Sequence, residues 1–285
     1  MIDFCIGGAP KCATTALFDY LSQHPDIVAS DPKEPHYFAS ASLGRPVMQG
    51  DYTRSQYAEM FADTQRSQKK GEGSTHYLHL AEHVAPLMAK EAPQVRLVFC
   101  LRNPIARAWS HYLYRYTNAG PYVPGGVGSN DSFLEFALHD EIFAMGNYAS
   151  NISKFKSHFP QHQIYLVFME DIATNLAETL RGICRHVRVD PSFSFDLSDR
   201  SNETIYPKWP KVMPPLDTVV GKTYPHLPHS VRKNLLRVRE RLLFNKQAPK
   251  PKLNSRDREV LAKAYRPSVE ALEELTDRSL DSWKQ

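Results

Sequence analysis

A glycine-rich segment near the start of the chain has the residue types of an anion-binding loop. Residues 7–15 read Gly-Gly-Ala-Pro-Lys-Cys-Ala-Thr-Thr. A glycine turn before a helix directs free N–H groups and the positive end of the helix dipole at an anion, and Lys11 adds a full charge. Lys11 comes only three residues after Gly8, so the segment is not the GxxxxGK[ST] loop of nucleoside triphosphatases. We predict a phosphate-like ligand here; the alternative is an ordinary strand–helix turn.

A second segment combines an arginine with a hydroxyl. Arg102 follows a strongly apolar run, and Ser110 comes about two helical turns later. A guanidinium fork together with a hydroxyl can hold a phosphate group. A magnesium-dependent nucleoside triphosphatase would favour an aspartate at the position of Arg102. This segment therefore predicts phosphate binding, the alternative being a solvent-exposed arginine at a strand end.

A third segment offers two groups that could accept a proton. Residues 33–38 read Lys-Glu-Pro-His-Tyr-Phe, which places Glu34 and His36 two residues apart. Either side chain could act as a general base. In an extended segment, residues two apart face the same side, so His36 could orient Glu34 or an acceptor.

Three further histidines raise the question of a metal site. His76, His79 and His83 are close in sequence, and the last two are four residues apart. The spacing of the third is irregular, and no cysteine or acidic cluster joins them, which is unlike a zinc site. We predict that no metal is bound.

Strands and helices must bring these segments together. Residues 4–8, 95–101 and 164–168 are mostly apolar, as in strands covered on both faces, and a further strand is predicted around Ile27 and Val28. Helices are predicted over residues 15–22, from 104 to about 116, and from a cap at Asp171 towards His186. Alternating strands and helices predict an α/β fold with one central parallel sheet in a single domain of residues 1–285. In such sheets ligands bind at the carboxyl ends of the strands, where the three segments should meet.

Three other segments have distinctive compositions. Residues 117–130 and 206–228 lack hydrophobic periodicity and contain many glycines or prolines, so we predict lids over the site. Residues 231–252 hold eight basic residues and one acid. Apolar residues at helical spacing within that stretch favour a surface helix with a solvated basic face, although an acidic substrate or membrane surface could also bind it.

Composition excludes several classes of protein. The 285 residues are 42% hydrophobic and 23% charged, which is typical of globular proteins. The net charge of +4 is too small to indicate nucleic-acid binding, and no apolar run reaches the roughly 18 residues of a membrane span. Four scattered cysteines and the absence of a secretory leader favour a cytoplasmic protein.

In combination, the segments resemble sulfotransferases that use 3′-phosphoadenosine 5′-phosphosulfate (PAPS). Residues 8–17 resemble the family's 5′-phosphosulfate-binding loop, and residues 101–112 are similar to its 3′-phosphate-binding strand and helix. Lys-Glu-Pro-His-Tyr-Phe resembles the catalytic loop of the branch that includes heparan sulfate sulfotransferases. Residues 72–77, Glu-Gly-Ser-Thr-His-Tyr, and the closing residues 277–283 also resemble elements of this family.

The resemblance implies a fold related to P-loop nucleotide kinases, with PAPS as co-substrate, adenosine 3′,5′-bisphosphate as product and no required metal. It implies that a small-molecule or saccharide hydroxyl is the acceptor. The implied roles are Lys11 at the bridging oxygen, Ala13, Thr14, Thr15 and Ala16 at the 5′-phosphate, Arg102 and Ser110 at the 3′-phosphate, Asn202 and Lys208 at the nucleotide, and Glu34 as the base with His36 beside it.

The chain departs from the family pattern at two positions. Ala13 stands where the loop commonly has glycine, and Ala39 stands where heparan sulfate enzymes often have aspartate. Together with the missing Golgi anchor, this favours a soluble, bacterial-type member. Two alternatives remain: a P-loop kinase using ATP, for which Mg²⁺ ligands are missing, and a non-catalytic nucleotide-binding protein.

Overall fold

Five parallel strands form the central sheet of the protein. The computed structural model describes residues 1–48, 50–114, 132–198 and 252–285, and the backbone of two short strands at 206–207 and 244–245. The sheet strands are β1 (Phe4–Gly8), β2 (Ile27–Ala29), β3 (Lys69–Gly73), β4 (Arg96–Leu101) and β5 (Ile164–Phe168). Their order is β2-β3-β1-β4-β5. All four pairings are parallel, which confirms the predicted α/β fold.

Helices connect these strands and cover the sheet. They are α1 (Thr14–Leu21), α2 (Tyr37–Leu43), α3 (Arg54–Glu59), α4 (Ala81–Glu91), α5 (Pro104–Tyr114), α6 (Phe133–Leu138), α7 (Asp140–Ala144), α8 (Tyr148–Lys156), α9 (Met169–Val187) and α10 (Ser255–Thr276). The two short strands, β6 (Tyr206–Pro207) and β7 (Phe244–Asn245), pair antiparallel outside the main sheet.

One hydrophobic core joins the two ends of the described chain. It extends from Ile2 to Trp283 and includes every residue of β4 from Leu97 to Leu101, all of which are fully buried. Helix α10 packs against α5, α6 and α8, so the C-terminal helix is part of the same packed body as the sheet. A single domain over residues 1–285 stays a prediction, because the described residues leave gaps.

The C-terminal segment is attached to the carboxyl end of β5. Arg278 donates two hydrogen bonds of 2.7 Å to Asp171, and the Trp283 indole donates one of 2.8 Å to Glu170. Asp171 lies inside the first turn of α9, which begins at Met169, and the N-cap position is taken by Phe168. The prediction that Asp171 caps this helix is wrong, because its carboxylate pairs with Arg278 instead.

The junction of β4 and α5 fixes where Arg102 lies. The Asn103 side chain accepts hydrogen bonds from the N–H groups of Ile105 (3.0 Å) and Ala106 (3.2 Å), which caps α5. The Tyr148 hydroxyl donates to the carbonyl of Arg102 at 2.9 Å. The backbone of Arg102 is therefore held at the carboxyl end of β4.

Several predictions fall on residues outside the described part of the chain. They are the lid at 117–130, the lid at 206–228 apart from the backbone of β6, and the basic helix within 231–252, where only Lys252 and the backbone of β7 are described. Among the described helices, none combines the length and the apolar character of a membrane span.

Candidate active site

The loop between β1 and α1 requires glycine where it leaves the strand. Gly8 has φ +137°, and a Cβ at this position would lie 2.7 Å from the carbonyl oxygen of Thr75. A side chain at residue 8 would therefore be strained and would collide with the segment that follows β3. The glycine allows the loop to pass directly against that neighbouring segment.

The start of α1 presents unpaired backbone donors, as the sequence predicts. The first hydrogen bond of the helix runs from the N–H of Leu17 to the carbonyl of Ala13, at 3.0 Å. The N–H groups of Thr14, Thr15 and Ala16 precede it and have no acceptor within the helix. These three residues and Ala13 form the N-terminal turn at which the family resemblance places the 5′-phosphate, a suitable position for an anion.

Ala13 adopts a backbone conformation that favours glycine. Its φ of +60° and ψ of +15° are left-handed, which costs an L-residue about 1–2 kcal/mol. A glycine at this position would avoid that cost, but its greater conformational freedom in the unfolded chain offsets part of the benefit. We expect Ala13→Gly to raise the free energy of unfolding by about 0.5–1 kcal/mol in urea denaturation. Ala16→Gly, in the first turn of the same helix, is the control and should lower the free energy of unfolding. Equal destabilisation by both variants would contradict the left-handed conformation of Ala13.

Lys11 and Arg102 meet across the loop. The Arg102 guanidinium donates a hydrogen bond of 3.2 Å to the carbonyl of Lys11. The Lys11 ammonium lies 3.7 Å from the ring centroid of Tyr114, near the end of α5, where it makes a cation–π contact. Burial and the nearby charge of Arg102 lower the pKa of Lys11 to about 8. The lysine predicted to serve the leaving group is thus held in place and titrates close to neutral pH.

Three side chains surround the carboxylate of Glu34. The ammonium of Lys33 lies 2.8 Å from Oε1, and the Thr75 hydroxyl donates to the same oxygen at 3.3 Å. His36 Nε2 lies 3.4 Å from Oε2. Burial on its own would raise the pKa of Glu34, but the contact with His36 and the charge of Lys33 outweigh it and lower the pKa to about 2.

Glu34 and His36 differ sharply in exposure. The side chain of Glu34 is 29% exposed, whereas that of His36 is 1% exposed. The backbone N–H of His36 donates to the Ser74 hydroxyl at 3.1 Å. The expected extended conformation is wrong, because both residues have positive φ, 63° at Glu34 and 52° at His36. The two side chains nevertheless come together, because the left-handed residues on either side of Pro35 turn the loop towards Ser74 and Thr75, which follow β3.

The end of β3 brings a fourth segment to the site. Thr75 contacts Glu34, and His76 packs edge-on against His36 with ring centroids 4.9 Å apart. Glu72, one residue before the strand ends, is fully buried, and burial raises its pKa to about 7. The sequence does not predict the contact of Thr75 with Glu34. The signal for it lies in its position, because residues that directly follow a parallel strand lie at the ligand-binding edge.

Two of the three histidines that the sequence offers as a metal set stay in contact in the structure. His76 and His79 have ring centroids 5.2 Å apart, and His83 is exposed on α4. Among the described residues, the group whose ligand atoms lie within 4.8 Å of one another is Glu34, His36 and His76. The proximity of His76 to the loop of residues 33–38 could not be predicted from spacing within residues 76–83.

The remaining predicted site residues are only partly described. Ser110 lies on α5, two turns after Arg102, and is partly buried. Asn202 and Lys208 lie outside the described residues. The described site therefore unites Lys11, the first turn of α1, Arg102 and the Glu34–His36 pair at one edge of the sheet.

Comparison with known proteins relates the chain to one family. A family model described as "Sulfotransferase domain" matches residues 2–201. Human carbohydrate sulfotransferase 15 is 24% identical, and the match covers 66% of this chain and 44% of the relative. Human bifunctional heparan sulfate N-deacetylase/N-sulfotransferase 2 is 22% identical, and the match covers 67% of this chain and 22% of the relative. The chain thus matches less than half the length of these curated relatives.

A solved structure has the same fold over its whole length. The crystal structure of a sulfotransferase from Alicyclobacillus acidocaldarius superposes with a TM-score of 0.72 at 23% sequence identity. The superposition covers 100% of this chain and 99% of the other. This likeness supports the parallel-sheet architecture described above.

Proposed function

Because the chain belongs to the sulfotransferase domain family, we propose that it transfers a sulfuryl group from PAPS to an acceptor hydroxyl. The observation that carries this proposal is that the segments following neighbouring strands of the sheet contact each other directly. Arg102 after β4 bonds the loop after β1, and Thr75 after β3 bonds Glu34. These two contacts bring the proposed groups to one edge of the sheet. The groups are the leaving-group cation Lys11, the base Glu34, and two anion-binding elements, the first turn of α1 and Arg102.

In the proposed reaction the acceptor oxygen attacks sulfur in line with the bond to the leaving phosphate. The sulfur–oxygen bond to the bridging oxygen breaks, and adenosine 3′,5′-bisphosphate leaves. Lys11 stabilises the charge that develops on the bridging oxygen. Glu34 takes the proton of the acceptor hydroxyl. Of the two candidate bases Glu34 is the partly exposed one, and the buried His36 contacts its Oε2.

The nucleotide lies across the carboxyl ends of β1 and β4 in this proposal. The N–H groups of Thr14, Thr15 and Ala16, with Ala13 before them, hold the 5′-phosphate. Arg102 and Ser110 hold the 3′-phosphate, and Asn202 and Lys208 complete the nucleotide site. A transferring sulfuryl group carries less negative charge than a phosphoryl group, so Lys11 and backbone donors can replace the Mg²⁺ of kinases.

The relatives support a saccharide among the possible acceptors. Those compared above are, by name, a carbohydrate sulfotransferase and a heparan sulfate N-sulfotransferase. We infer that the acceptor is a saccharide or a small molecule that presents a hydroxyl. Four free, buried cysteines are compatible with a reducing compartment, and we place the reaction in the cytoplasm.

Two measurements test the activity. In thermal denaturation, adenosine 3′,5′-bisphosphate should stabilise the protein without Mg²⁺, since a ligand that binds only the folded state raises its stability. Stabilisation by ATP with Mg²⁺ alone would favour the kinase alternative. Incubation with PAPS and a cell extract, followed by mass spectrometry, should reveal compounds that gain one sulfuryl group. Nucleotide binding with no such product in any extract would indicate a non-catalytic binding protein.

Arg102→Ala should remove the preference for a 3′-phosphate. The loss of a charge-assisted bond weakens PAPS binding by about 1.5–3 kcal/mol, or roughly 10- to 150-fold. Adenosine 5′-phosphosulfate lacks the 3′-phosphate, so the variant should bind the two nucleotides with similar affinity. Arg96→Ala is a matched control, because Arg96 begins the same strand and bonds the carbonyl of His162 far from the site. An unchanged preference in Arg102→Ala would place the 3′-phosphate elsewhere.

A further inference from the structure

Two histidines and a carboxylate share a partly buried position beside the proposed base. Potential ligand atoms of Glu34, His36 and His76 all lie within 4.8 Å of one another. Nδ1 of His76 is buried without a hydrogen-bond partner among the described residues, and Nε2 of His36 meets the Glu34 carboxylate at 3.4 Å, which is long for a hydrogen bond. Buried polar atoms ordinarily have partners, so these nitrogens point to a ligand that satisfies them.

The distances suit a transition metal. Ligand atoms bound tetrahedrally at about 2.0–2.1 Å from zinc lie about 3.3–3.4 Å apart. His36 Nε2 and Glu34 Oε2 are 3.4 Å apart, which is that separation. For His76 to join them, its ring needs to move by about 1–1.5 Å, which a side-chain rotation supplies.

The donor set selects among metals. Mg²⁺ and Ca²⁺ prefer shells of oxygen ligands, whereas imidazole nitrogens suit zinc and its neighbours in the transition series. Three protein ligands leave the fourth position of a tetrahedral site open, as in catalytic zinc sites. The side chain of Glu34 is 29% exposed, so the trio can be reached from solvent.

We propose that Glu34, His36 and His76 bind one Zn²⁺ ion, and that the zinc-bound form is inactive in transfer. The binding claim is independent of the proposed function; the inhibition rests on it. Zinc withdraws negative charge from a bound carboxylate and so makes it a weaker base, which means that the ion and the reaction compete for Glu34. Zinc is thus an inhibitor in this scheme, and the transfer itself uses no metal.

Lys33 provides a test specific to this geometry. Its ammonium lies 2.8 Å from Glu34 Oε1 and competes with a metal ion for the charge of the carboxylate. Lys33→Met should therefore increase the affinity for zinc. A nonspecific surface site would not respond in that direction to the loss of one lysine at this position.

The experiment uses the full chain after treatment with a chelator and without nucleotide. Zn²⁺ is titrated calorimetrically, and Co²⁺ is followed by its visible absorption, which reports tetrahedral coordination. We expect one equivalent of Zn²⁺ to bind. Removing a group that hydrogen-bonds a metal ligand commonly costs about 10- to 100-fold in metal affinity. Removing a ligand itself, in Glu34→Gln or His76→Ala, should therefore cost more than about 100-fold. His83→Ala, an exposed neighbour on α4, is the control and should bind as the parent protein does.

Clear outcomes would overturn the site. Less than one equivalent of zinc, or equal affinity in Glu34→Gln and the parent protein, rules it out; Glu34 is partly exposed, so this variant tests the claim even if His76→Ala unfolds. Adding zinc to an active preparation should lower the rate of transfer, and an unchanged rate would refute the inhibitory role. A protein that binds zinc as described but never transfers sulfate would refute the proposed function and leave the metal site standing.

Discussion

Glu34→Gln is expected to lose nearly all sulfuryl transfer while binding nucleotide as the parent protein does. Glutamine keeps the shape of the side chain, but its amide cannot accept the proton of the acceptor hydroxyl. General base catalysis contributes about 10²–10⁴-fold in rate, and we expect a loss in that range. Initial rates at saturating PAPS measure the loss, and binding of adenosine 3′,5′-bisphosphate shows whether the nucleotide site is intact.

His36→Ala is the matched comparison for this variant. His36 is buried and contacts Oε2 of Glu34, so its removal disturbs the orientation of the base without removing the base. We expect a measurable fraction of the activity to remain. An active Glu34→Gln and an inactive His36→Ala would reverse the roles of the two residues and contradict the mechanism.

The pH profile of kcat/KM separates the two bases independently of mutation. This quantity reports groups of the free enzyme. The pKa of Glu34 is lowered to about 2, so a glutamate base is ionised throughout the range from pH 5.5 to 9. The parent enzyme should then show no acid limb in that range. A fall in rate below about pH 6.5 would indicate a base with an ordinary histidine pKa.

The sequence predicted the strands that contain apolar side chains, and it did not predict β3, which contains none. β3 reads Lys-Lys-Gly-Glu-Gly and has no apolar residue, yet it lies between β2 and β1 in the sheet. A Cβ at Gly71 would overlap the ring of Phe4, and one at Gly73 would lie 2.9 Å from Phe18. The neighbours supply the apolar cover, and the strand itself supplies the space. No pattern within β3 contains that information.

The same omission explains what the sequence could and could not predict about the site. Lys11 and Arg102 follow strands with clear apolar patterns, so the rule for parallel sheets placed them at one edge. Thr75 and His76 follow β3 and were not placed with them. Their contacts with Glu34 and His36 join segments about 40 residues apart in sequence, and the left-handed residues that make those contacts possible have no signature in residue type.

Lys11→Ala is expected to lower the rate of transfer about 10²–10³-fold, the usual loss for one preorganised donor at a developing charge. The fold should persist, because the ammonium contacts the Tyr114 ring at the edge of the site and takes no part in the hydrophobic core. Single-turnover rates with saturating PAPS measure the chemical step, and thermal denaturation checks folding. Near-normal turnover would remove the loop of residues 7–15 from the mechanism.

Lys11 should also produce an alkaline limb in the pH profile. Its pKa is lowered to about 8 by burial and by Arg102, so the ammonium is charged below that pH and is lost as pH rises through it. We therefore expect kcat/KM to fall above about pH 8. The anionic nucleotide favours the charged form, so the limb in kcat should lie at higher pH.

Lys11→Arg distinguishes charge at the bridging oxygen from other causes of this limb. A guanidinium stays protonated throughout the accessible range. The variant should be slower than the parent enzyme, because the planar group cannot reproduce the position of the ammonium, but its kcat/KM should stay level where that of the parent falls. An alkaline limb that persists unchanged in Lys11→Arg would assign it to another group, and the leaving-group role of Lys11 would then rest on the alanine variant alone.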